Sequence, residues 1–170
     1  MFAVVLTGAP GAGKSVCLMR LSDALAVDEK AHAVIDVDEV AWAFPYPSSE
    51  ERIELLRASS DAHRRAGHEL LLVGEVVESD EEVGQLLEAV GADDHLLVLL
   101  EAAPDILRRR IVEREPPGWS ELDYLLGEME RWAVALKELS GVHLVVDTEA
   151  HPPDEVAARI RAERPDILGG

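Results

Sequence analysis

The stretch VVLTGAPGAGKSVCLMRL, residues 4–21, constrains this chain more than any other. An apolar run stops at Thr7. Three glycines, a lysine and a serine then fall within Gly8-Ala9-Pro10-Gly11-Ala12-Gly13-Lys14-Ser15. From Ser15 the pattern turns helical, with Val16, Leu18, Leu21 and Leu25 supplying an apolar stripe. A strand that passes into a helix through this octet fits G-x-x-x-x-G-K-S, the P-loop. Glycines let the backbone curl so that several N–H groups point at phosphate oxygens. The helix that follows adds its positive N-terminal end. The pattern assigns Lys14 to the β- and γ-phosphates of a nucleoside triphosphate and the Ser15 hydroxyl to Mg²⁺. It predicts nucleotide contacts along the whole run from Gly8 to Val16.

The rest of the chain alternates apolar, β-rich runs with helical patterns. Strands are predicted at 2–7, 31–38, 68–77, 95–102 and 142–148, and helices at 15–25, 48–67, 81–92, 104–115, 121–141 and 152–165. Gly169-Gly170 is expected to fray. Five strands separated by helices imply an α/β fold with a parallel sheet covered on both faces. Right-handed crossovers place every strand's carboxyl end along one edge, where ligands bind. Gly8–Ser15, Asp36 and Asp38, Gly74 and Glu75, Glu101, and Asp147 and Thr148 therefore converge on one rim. At 170 residues with no linker or repeat, residues 1–170 read as one domain.

Asp36-Val37-Asp38 closes the second predicted strand, and alternation would put both carboxylates on one side. One suits taking or aligning an acceptor proton, the other holding Mg²⁺ and its waters. Asp38, further out, is the preferred base. A P-loop followed by this D-x-D resembles the small-molecule kinases of the nucleoside/nucleotide-kinase-like group: shikimate, gluconate and adenylylsulfate kinases and chloramphenicol phosphotransferase-like proteins. The resemblance runs across most of the chain. LEAAPDILRRRIVERE (100–115) is similar to their strand-four and lid-entry segment, with Arg110 and Arg114 as the R-x-x-x-R pair. VVDTEAHPPDEVAARI (145–160) is similar to their last strand and helix, whose D-T turn at Thr148 lies beside the adenine.

The resemblance implies a three-layer P-loop NTPase fold with sheet order 2-3-1-4-5 and a short lid at about 108–123. It also implies ATP and Mg²⁺ as cofactors and transfer of the γ-phosphoryl to a hydroxyl of a small molecule. Arg110 and Arg114, four apart on one helix face, would clamp phosphates. Trp119 would sit in the lid over the site. One departure stands out: Gly74-Glu75 occupies the end of strand three, where many relatives carry an aspartate. Glu75 is assigned either to a Mg²⁺-bound water or to the acceptor.

The chain has three Trp, two Tyr and two Phe, and WAFPYP places Trp42, Phe44 and Tyr46 directly after the D-x-D. Aromatic side chains stiffened by Pro45 and Pro47 are candidates for an acceptor pocket, with a loop folded on the core as the alternative. Arg57 and Arg64, seven apart on the next helix, are candidates for an anionic acceptor or simply solvated charges. Cys17 reads as a small buried residue rather than a reactive thiol. His151 is a candidate neighbour of the adenine. No histidines have zinc-ligand spacing.

The formal net charge of −18 argues against nucleic acid and anionic membranes as partners. No apolar run reaches the roughly 18–20 residues that span a bilayer. A lone cysteine and a start without signal-peptide features lead to the expectation of a soluble cytoplasmic protein, monomer or homodimer. Two other functions fit the same motif. One is a nucleoside or nucleotide monophosphate kinase; the other is a slowly hydrolysing NTP-binding regulator.

Overall fold

The computed structural model describes residues 1–169. Gly169 N donates to Pro165 O at 3.1 Å. Gly170, where fraying was expected, lies outside the described residues. The element order is β1 (Phe2–Thr7), α1 (Lys14–Val27), β2 (Ala33–Asp36), α2 (Val37–Val40), α3 (Ser49–Arg65), β3 (Leu70–Gly74), α4 (Asp80–Val90), β4 (Asp94–Glu101), α5 (Pro104–Arg114), α6 (Leu122–Ala135), β5 (Leu144–Asp147), α7 (Pro153–Glu163) and α8 (Pro165–Leu168). The five strands are parallel in the order β2-β3-β1-β4-β5.

Burial follows that order. β1 and β3 are buried along their whole length, while the edge strands β2 and β5 alternate. In register, Val4 stands between Leu72 on one side and Leu96 on the other. Branched side chains on both faces of the central strands build the core, each worth about 1.5–3 kcal/mol when fully buried.

Handedness sorts the helices. Only the β1-to-β2 crossover runs towards the β2 edge; the others run towards β5. Right-handed connections then place α1 on one face and α3, α4 and α5–α6 on the other. The contacts agree, because α1 packs on α7, α3 on α4, and α5 on α6. Among the described residues, no helix is long and apolar enough to cross a membrane.

Several expected boundaries moved for local reasons. The second strand stops at Asp36, because the Asp36 side chain caps α2 by accepting from Asp38 N at 3.2 Å. The third strand ends at Gly74, and Val77 N instead donates to the buried Thr7 Oγ1 at 3.2 Å. The long helix expected at 121–141 is α6 followed by a 3₁₀ turn at Leu136–Glu138. Pro165 ends α7 early, since the residue before a proline is held out of the helical region; Arg164 has φ −134. At α3 a full capping box forms between Ser48 and Glu51.

Candidate active site

The glycine-rich turn leaves β1 and enters α1 as expected. Gly13 is the N-cap of α1 with φ +95, and no side chain caps that end. A Cβ at Gly13 would meet nothing within 4 Å, so the loop opens onto free space in front of the helix terminus. The first-turn N–H groups of α1 lack side-chain partners there, which is the physical basis of an anion site. Gly11, at φ +85, is constrained from behind: a Cβ there would lie 2.7 Å from Leu107 O.

Lys14 Nζ donates to Gly8 O at 2.8 Å and is held against the loop. Burial pushes its ammonium below the ordinary range, while the carboxylates of Asp38, Glu75 and Asp36 pull it back up. Ser15 Oγ donates to Asp36 Oδ2 at 2.6 Å. Together they form the compact hydroxyl–carboxylate pair that a hard divalent cation uses, with phosphate and water oxygens completing its shell. The donor chemistry and the open cradle fit Mg²⁺ with a nucleotide triphosphate. Among the described residues, no group of three His, Cys, Asp or Glu could hold a metal alone.

A cleft of about 840 Å³ opens over this turn. Pro10 to Val16, Arg110, Arg114 and Thr148 line one end. Gly8 and the buried Ala9 lie behind the loop and do not line it. Asp36 reaches the cleft through Ser15. Arg110 is fixed across the end of the sheet: Nη1 donates to Gly11 O at 3.1 Å and Thr148 Oγ1 at 2.9 Å, and Nη2 to Thr148 O at 2.9 Å. Thr148 Oγ1 in turn donates to Glu101 O at 3.1 Å. Arg114, one turn on, faces the same cleft and donates to Glu115 through Nε at 2.7 Å. His151 lines this end too, with Nδ1 2.8 Å from Glu155 Oε1.

Asp38 and Glu75 line the cleft beside Lys14, joined by Arg52, a residue absent from the sequence-derived site. Arg52 Nη2 donates to Asp38 Oδ1 at 2.9 Å and to Glu75 Oε2 and Oε1 at 2.9 and 3.1 Å. Val76 N also donates to Glu75 Oε1 at 2.9 Å. The Glu75 side chain is only 16% exposed. Burial holds its carboxyl above the ordinary value, with Arg52 the strongest opposing influence. Both oxygens of Glu75 are thus committed to Arg52. A faint signal for Arg52 existed: it stands beside Ile53 and four before Leu56, on the inward side of a helix whose Arg57 and Arg65 are exposed.

Four expectations are corrected. Asp36 and Asp38 do not alternate along a strand: the chain turns helical at Val37, and the two face the cleft through a cap and the first turn of α2. Trp42, Phe44 and Tyr46 do not line the cleft; they are 86%, 93% and 75% exposed. They sit on the connection between α2 and α3, residues 41–48. Arg57 is exposed and outside the cleft, because α3 turns its Leu56 inward, and Arg64 instead binds Asp61 and Val90 O. Of the segment predicted as a lid at 108–123, residues up to Arg114 belong to α5, and Trp119 does not line the cleft. Cys17 is buried at 2% exposure, and burial pushes its thiol up to about 11.

No family model matches the sequence, and no curated protein matches it. Solved structures do. A sugar kinase from Janibacter sp. HTCC2649 superposes with a TM-score of 0.68 at 20% identity, over 99% of this chain and 96% of that one. A gluconokinase from Sinorhizobium meliloti 1021 gives 0.65 at 20% identity, over 98% and 93%. The APS kinase of Mycobacterium tuberculosis, solved with AMPPNP and APS, gives 0.62 at 20% identity, over 95% of both chains. The chain therefore has the three-layer P-loop NTPase fold, with its sheet in the order 2-3-1-4-5.

Proposed function

We propose that this protein is an ATP-dependent kinase that moves the γ-phosphoryl of Mg·ATP to a hydroxyl of a small molecule. The observation that carries this reading is one cleft lined both by the Lys14–Ser15 cradle and by Asp38, which Arg52 holds beside it. A purely nucleotide-holding protein has no need for the second of these. The kinases among the similar structures support the same reading.

Lys14, the α1 N-terminus, Arg110 and Arg114 hold the phosphates and stabilise charge as it moves. Ser15 and Asp36 hold Mg²⁺, which when bound neutralises phosphate charge. Arg52 fixes Asp38 through Oδ1, so the carboxylate is aimed at the incoming hydroxyl. Asp38 accepts the acceptor's proton as its oxygen bonds to the γ-phosphorus and the bond to the β–γ bridging oxygen breaks. Arg114, held only by its neighbour Glu115, is the arginine free to swing onto the transferring group.

The test is ADP release from Mg·ATP with and without a panel of alcohols, comparing wild type with Lys14→Ala and Asp38→Asn. Lys14→Ala is expected to lose turnover by about 10²–10³-fold, the cost of one preorganised electrostatic group. Asp38→Asn is expected to keep nucleotide affinity and lose transfer. Equal turnover in Lys14→Ala refutes the assignment. Loss of nucleotide affinity in Asp38→Asn would make Asp38 a metal residue.

A further inference from the structure

The cleft has two electrically different ends. At the phosphate end stand Lys14, Arg110, Arg114 and the open terminus of α1. At the other end four carboxylates line the wall: Asp38, Glu75, Glu78 and Glu82. Arg52 is the cation bound to these carboxylates from the lining, one of its nitrogens shared between Asp38 and Glu75, and Lys14 stands within electrostatic reach of the same two. Glu78 is bound by Arg131, which lies outside the lining, and by Nε1 of Trp132, which is part of the wall. Arg131 is also committed to Glu128. Even with both arginines and Lys14 counted, the four carboxylates outnumber the three cations.

Between the carboxylates the wall is apolar, built by Ile53, Leu56, Val77, Leu86, Leu125 and Trp132. An anionic acceptor would meet this excess directly. To bind Arg52 it would have to draw the guanidinium from Glu75, leaving a carboxylate with a 16% exposed side chain unpaired. Stranding such a charge costs more than a new surface pair returns. A cation meets the opposite balance: it completes carboxylates already in place and leaves the Arg52 pairs intact. Like-charge exclusion and opposite-charge attraction then select in the same direction.

Resting on the phosphotransfer reading above, we propose that the acceptor is an alcohol carrying an ammonium group on an apolar body. Its hydroxyl faces Asp38, and its ammonium lies among Glu75, Glu78 and Glu82.

Two matched series test this: phenylalaninol, N-acetylphenylalaninol and phenyllactate; and glucosamine, N-acetylglucosamine and gluconate. Binding to the full chain is measured by calorimetry with Mg²⁺ and a non-hydrolysable ATP analogue, and ADP release is measured separately. In at least one series the ammonium compound is expected to bind at least about tenfold tighter than the carboxylate, with the neutral one between. Glu82→Gln should narrow that preference without weakening the ATP analogue. Equal binding, carboxylate preference, or no measurable binding in both series overturns the inference. The two readings separate cleanly: ammonium preference without ADP release upholds the charge selection and sinks the kinase. Turnover of a carboxylate does the reverse.

Discussion

Replacing Arg52 with leucine removes the single group that joins Asp38 and Glu75. The side chains of Arg52 and Glu75 are 28% and 16% exposed, so their contact is largely shielded from water. Breaking a buried pair by deleting one partner costs about 3–5 kcal/mol. Partial solvent access and the surviving Val76 N bond lower that to about 2 kcal/mol here. Asp38 is 65% exposed, so its arm adds under about 1 kcal/mol. The sum, about 2–3 kcal/mol, corresponds to a fall in Tm of about 5–10 °C for a domain of this size.

The loss has a pH signature. Burial already raises the Glu75 carboxyl above its ordinary 4.5, and removing Arg52 raises it further. A carboxyl raised in the folded state stabilises below its unfolded pKa and loses that contribution as pH rises through the folded one. Arg52→Leu should therefore be hurt most at pH 8 and least near pH 5. The assay is thermal unfolding by circular dichroism at both values, with Arg52→Leu/Glu75→Gln alongside. The double variant should recover about half the loss, since it strands no charge. A fall below about 1 °C, a fall independent of pH, or a double variant no better than the single would refute the reasoning.

Two further predictions test the geometry. Gly11→Ala is expected to cost at least about 2 kcal/mol and to abolish ATP binding, because φ +85 and the 2.7 Å approach to Leu107 O both exclude a Cβ; calorimetric ATP binding at wild-type affinity would contradict it. Trp42→Ser, Phe44→Ser and Tyr46→Ser should each change stability by under about 0.5 kcal/mol and leave KM for the acceptor unchanged; a tenfold rise in KM would return these residues to the acceptor pocket.

Much of the fold was legible because it is written in local pattern. Apolar runs bounded by Gly and Asp marked all five strands, and the octet at Gly8–Ser15 marked the turn that binds them to function. Thr148 followed from the end of its strand and Arg110 and Arg114 from the resemblance of their segment to the kinases' lid entry, and all three line the cleft. The failures share one cause. Trp42, Phe44 and Tyr46 looked like pocket residues by composition, yet direction depends on how the loop after α2 leaves the sheet. Asp36 and Asp38 were assigned strand alternation, and a side-chain cap ended the strand at Asp36, two residues before the expected end.

The sequence by itself determined the strand–glycine turn–helix unit, the right-handed layering and the lysine and serine of the cradle. Each follows from backbone sterics and periodicity within a few residues. Only the tertiary structure decided which arginine serves the second end of the cleft. Arg52, Asp38 and Glu75 come from three elements and share no spacing rule. Packing α3 against α2 and β2 brings them together, and the charge excess on that side of the cleft exists only once they meet.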